Sequence, residues 1–96
     1  MVIEWYEGEY GQEVRFSVLT ENGEPLSLVD SVAKLLVEVG AEIREIPLVS
    51  NGDELIYVVE PGWAAGEYTA QIELSYPSAK VRTPVFVIRV RESVKE

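Results

Sequence analysis

The feature that most constrains this chain is the segment "EYTAQIELSY" at 67–76. Tyr68, Ala70, Ile72, Leu74 and Tyr76 fall on one side of an extended backbone. Thr69, Gln71, Glu73 and Ser75 fall on the other. A period of two with polar partners describes a strand with one buried face and one wet face, as in antiparallel sheets. The pattern recurs. In "QEVRFSVLT", Val14, Phe16 and Val18 share a face opposite Glu13, Arg15 and Ser17. In "PVFVIRVRE", Phe86, Ile88 and Val90 face in while Arg89 and Arg91 face out. Pro84 has no backbone donor, so this last strand must begin after it, run along an edge or carry a bulge there.

Turn signals separate these runs: "YEGEYG", "ENGEP", "VGAE", "SNGD", "EPGWAAGE" and "YPSAK". Asn-Gly occurs at 22–23 and 51–52, where tight turns favour positive φ. Regular spacing of short strands and turns predicts an all-β sandwich or barrel. The strands are expected at 2–6, 12–20, 32–39, 42–48, 54–60, 67–76 and 80–91, about seven in all, with no helix assigned. One stretch is ambiguous. Leu28, Val32, Leu35 and Val39 lie at helical spacing, yet Ala33, Leu35, Val37 and Val39 also alternate. A helix there would interrupt a strand-and-turn chain, and valines pack better in a sheet. Strand is preferred, though periodicity alone leaves a capping helix open.

Ninety-six residues suffice for one domain with a two-layer core. A hydrophobic content of 47% argues against disorder despite a net charge of −9. No apolar run approaches the roughly 20 residues of a membrane span, and the acidic start "MVIEWYEGEY" does not read as a signal peptide. Cysteine and histidine are both absent. That removes disulfides, thiolate metal sites, cysteine nucleophiles, the commonest general base and the commonest transition-metal ligand. The excess of 17 acids over 8 bases disfavours nucleic acid. The acids gather early (Glu4, Glu7, Glu9, Glu13) and the arginines late (Arg82, Arg89, Arg91). Such opposition suits either head-to-tail contact between copies or a plain solvated surface. Only two Asn, two Gln and one Met appear, a scarcity of thermolabile residues that fits a thermophile source.

The segment "VRFSVLTENGEPLSLVDSVAKLLVEV" resembles the opening half of the immunoglobulin-like N-terminal domain of phage baseplate upper proteins. Asn22, Gly23, Glu24 and Pro25 fill that family's turn. Val29, Asp30 and Ser31 replace its small Thr-Gly-Ala step, and "VAKLLVEV" takes its second strand. "EPGWAAGEYTAQIELSYPSAKVRTPVFVIRV" is also similar to the family, with Gly66, Glu67 and Tyr68 ending a loop. The similar parts cover about 12–91. The resemblance implies a strand at 32–39 and an immunoglobulin-like antiparallel β-sandwich. Residues 1–10 would be a possible docking segment and 92–96 a tail. It also implies a non-enzymatic virion structural role in a phage or archaeal virus, in the tail or baseplate, or failing that in capsid decoration. The partners would be other virion proteins and copies of itself, with no membrane and no nucleic acid, in a homo-oligomer made in the host cytoplasm.

The candidate contact residues are Trp5, Tyr6, Tyr10, Trp63, Arg89 and Arg91. Trp63, in a loop, is either an exposed anchor or a plug closing the sandwich. Trp5, Tyr6 and Tyr10 form an aromatic cluster that belongs either to an edge strand on the body or to a segment added to a neighbour's sheet. Tyr68 is expected to act as a tyrosine corner, ring inward and hydroxyl on nearby backbone, rather than as a sugar platform. Glu4, Glu7, Glu9 and Glu13, or Asn51, Asp53 and Glu54, offer oxygens to calcium but lack its loop spacing. No metal, cofactor or catalytic residue is expected, since no phosphate loop, nucleophile elbow or metal triad occurs. The rival readings are a carbohydrate-binding or adhesive module and an accessory domain of a larger surface protein.

Overall fold

The computed structural model describes residues 1–94. All its regular elements are strands: β1 (Val2–Tyr6), β2 (Glu13–Ser17), β3 (Val32–Val39), β4 (Glu42–Pro47), β5 (Val49–Asn51), β6 (Glu54–Val58), β7 (Gly66–Ser75), β8 (Lys80–Arg82) and β9 (Phe86–Arg91). They form two sheets. The larger runs β1-β9-β7-β3-β4, with β8 also pairing with β7; the smaller runs β2-β6-β5. Neighbours are antiparallel except β1, which runs parallel to β9.

The inner faces are those the alternation predicts. Leu35, Val37, Ile72, Leu74, Ile88 and Val90 from the larger sheet meet Phe16, Leu55 and Tyr57 from the smaller in one buried cluster. The ambiguous stretch is strand: Val32–Val39 pairs with β4 on one side and β7 on the other. Placing eight valine-rich residues between two strands buries Ala33, Leu35 and Val37, which a helix would not align with both neighbours. Asp30, just before it, adopts a φ of 61°. That left-handed conformation is tolerated by aspartate.

The described residues form nine strands where about seven are expected, and three boundary differences are the largest. The run 12–20 ends as strand at Ser17, because the chain then turns tightly: the Leu26 amide donates to the Val18 carbonyl at 2.8 Å and Thr20 to Glu24 at 2.7 Å. Beyond Pro47 the chain leaves the larger sheet, buries Leu48 and joins the smaller sheet as β5, which Gly52 (φ 63°) turns back into β6. The run 80–91 breaks into β8 and β9 around Pro84. Thr83 patches the break. Its hydroxyl accepts from the Ile72 amide at 3.0 Å and its own amide donates to the Ile72 carbonyl at 3.0 Å. The expected tail at 92–96 carries no strand over 92–94, and its last two residues lie outside the described range.

Candidate functional site

The two tryptophans are core residues, 4% exposed for Trp5 and 6% for Trp63. Their rings meet edge to face at 5.3 Å. Trp63 also stands edge to face with Tyr68 at 5.1 Å, and its indole N–H donates to the Tyr57 hydroxyl at 3.0 Å. The Arg44 guanidinium lies over the Trp63 ring at 5.5 Å. Trp63 is thus the plug, not the exposed anchor. Trp5 is drawn in because alternate residues of β1 face the core once β1 lies on β9. As positioned, neither ring is presented to a partner. Tyr6 and Tyr10 remain exposed. The Tyr68 hydroxyl donates to the Ala64 carbonyl at 2.7 Å, as a tyrosine corner should.

The opposed charges meet within the chain. Parallel pairing sets Glu4 opposite Arg89 in the register. Glu4 receives Arg89 Nη1 at 2.8 Å and Arg91 Nε at 3.1 Å, and Arg89 also reaches Glu67 at 2.9 Å. Arg91 chiefly, then Arg89, hold the Glu4 carboxyl below its ordinary range. The Arg89 guanidinium is pushed up by Glu67 first and Glu4 second, and that of Arg91 by Glu4. Of the early acids Glu4 pairs with the late Arg89 and Arg91 inside one copy, so these charges are not left free for head-to-tail contact. Other early acids hold backbone: Glu9 accepts from the Tyr6 amide and Glu7 from the Ala65 amide. Among the described residues no acidic or histidine cluster is placed to hold a metal ion. Glu73, expected on a wet face, is buried; Arg82 at 2.8 Å and Lys80 at 3.9 Å cover it.

A different surface stands open. Among the described residues β2 pairs only with β6, and no strand lies along its other edge. Gln12 accepts from the Val59 amide at 2.9 Å. Antiparallel ladders alternate, so Val14 and Phe16 bond toward β6. The main-chain groups of Glu13, Arg15 and Ser17 then point outward. Beside this edge a cleft of about 930 Å³ separates β2 from the β8–β9 break. Val14, Phe16, Val18, Ile3, Val85 and Phe86 line it, and Val85, Leu19 and Met1 are well exposed there. The other edges are less inviting. β5 and β8 have three residues each, β4 carries Pro47 and two glutamates, and β1 carries Glu4, paired with Arg89 and Arg91 of β9. Sequence reasoning did not find this edge. Pro84 hinted at a broken strand, but that β2 lacks a second neighbour is a fact of topology. The sequence matches no family model, and it matches no curated protein.

Proposed function

We propose that this chain is an immunoglobulin-like docking module of a virus particle, acting through protein–protein contacts and catalysing no reaction. Two features support the fold part of the reading. A larger sheet in which the last long strand lies between the first and the seventh, facing a smaller sheet of the second, sixth and fifth strands, supports the reading, since immunoglobulin-like domains likewise divide their strands between two packed sheets. Tyr68 has the bond of a tyrosine corner. For the role, the supporting observation is the unpaired β2 edge beside an apolar cleft, a combination suited to receiving another chain by sheet extension. The resemblance to baseplate upper proteins supplies the virion setting, tail or baseplate first and capsid decoration second.

The carbohydrate-binding reading loses its best platform, since Trp63 is buried. The test is protein mass spectrometry of virus particles purified from the source culture, with immunogold labelling to place the chain. Stoichiometric presence on tails or capsids is the expected result. Absence from purified particles, with the chain abundant in the cells, refutes the virion role.

A further inference from the structure

We infer that the open edge of β2 binds the same edge of a second copy, antiparallel about a two-fold axis through Val14, fusing two three-stranded sheets into one. This rests on the docking role proposed above and names its partner. The argument begins with the outward main-chain groups of Glu13, Arg15 and Ser17. In an antiparallel pair, outward-bonding residues oppose outward-bonding residues, so only alternate registers are open. If Arg15 sits opposite the partner's Arg15, like charges face one another, which is unfavourable. If Glu13 sits opposite the partner's Glu13, the same penalty arises. The register between these places Glu13 opposite the partner's Arg15 and Arg15 opposite the partner's Glu13. Both pairs exchange main-chain bonds, and Val14 meets Val14 on the inner face. The edge is thus complementary to itself in one register and repulsive in the two adjacent ones.

The surroundings fit this partner. Glu13 and Arg15 are about half exposed, 47% and 52%, and Arg15 stands 3.3 Å from both Glu13 on its own strand and Glu54 on β6. Symmetry makes the contact closed, so it ends at a dimer rather than a fibre. β2 contains neither proline nor glycine to block a ladder. The apolar cleft runs beside the same edge, so a second copy there shields Val14 and its neighbours from water.

The experiment is sedimentation equilibrium of the purified full chain, with amide hydrogen exchange on the same samples. The wild type is expected to reach twice its 10.7 kDa mass as concentration rises. The Glu13 and Arg15 amides should become protected in step with dimerisation. Arg15→Glu alone, or Glu13→Arg alone, turns both attractive pairs repulsive and is expected to weaken association about ten- to a hundredfold. The double exchange Glu13→Arg with Arg15→Glu should restore it. Circular dichroism melts of each variant separate lost folding from lost association. A monomeric wild type at the highest soluble concentration overturns the inference, as does a dimer whose Glu13 and Arg15 amides exchange freely, or a double exchange that fails to rescue. A monomer that purified particles nevertheless contain would refute the self-pairing while sparing the virion role.

Discussion

Truncating Leu35 and its neighbour Leu36 to alanine compares two faces of one strand. Leu35 is fully buried at the centre of β3, opposite Ile46 on one side and Ile72 on the other. Removing three of its carbons forfeits about 2.4 kcal/mol of transfer free energy at ~0.8 per methylene. The cavity left between two flanking strands raises the cost to about 3–4 kcal/mol. A chain of this length has a total stability of only about 5–14 kcal/mol. Leu36 is half-buried on the outer face beside Ile43 and Val85. Truncating it loses about 1 kcal/mol of cross-strand contact and strand preference. Urea unfolding followed by tryptophan fluorescence reads both. With a slope of roughly 1.5–2 kcal/mol per molar, Leu35→Ala should lower the midpoint by about 2 M and Leu36→Ala by about 0.6 M. Equal losses, or a larger loss for Leu36→Ala, would refute the assignment of faces in β3.

Three further outcomes are expected. Tyr68→Phe removes the hydroxyl donated to Ala64 and should cost about 0.5–1 kcal/mol in urea melts while leaving the sheet signal unchanged. The Glu4 carboxyl, held low by Arg91 and Arg89, should titrate below an ordinary glutamate in carbon-detected NMR; Arg91→Gln should raise it more than Arg89→Gln. Because its folded value is depressed, its contribution to stability is complete above the unfolded pKa and disappears as pH falls through the folded one. The scarcity of thermolabile residues predicts a thermal midpoint above the mesophile range of about 45–65 °C, and calorimetry giving about 50 °C would remove the thermophile expectation.

Where the buried pattern was local, it was legible. Phe86, Ile88 and Val90, and Ala70, Ile72 and Leu74, alternate with polar residues whose opposite placement follows from the pleat alone. At Val32–Val39 alternation left helix and strand both open. Its valines and the strand-and-turn order around it favoured strand, and pairing with both β4 and β7 makes it one. What the residues withheld depends on partners distant in the chain. Glu73 looks wet in its own strand and is buried because Arg82 folds over it. Glu4 and Arg89 look like two surface clusters until β1 is laid beside β9. The chain changes sheet just after its last rung to β3, the Leu48 amide donating to the Ala33 carbonyl at 3.0 Å, and no local periodicity encodes that step to β6. For Trp5 and Trp63 the residues left a packed and an exposed reading open for a related reason: a loop or edge aromatic is exposed only if nothing packs against it, and here they pack against each other.

The parallel register of β1 on β9 has a mechanical meaning. Val2 lies beside Val87 and Tyr6 beside Arg91, so the backbone enters this ladder at one end and leaves it at the other. Tension applied between Met1 and Arg91 drags the two strands past one another along their length. Every rung then carries load at the same moment, and the joint yields by sliding as a whole instead of unzipping from an end. A module gripped in this way resists stretching with the strength of its entire seam.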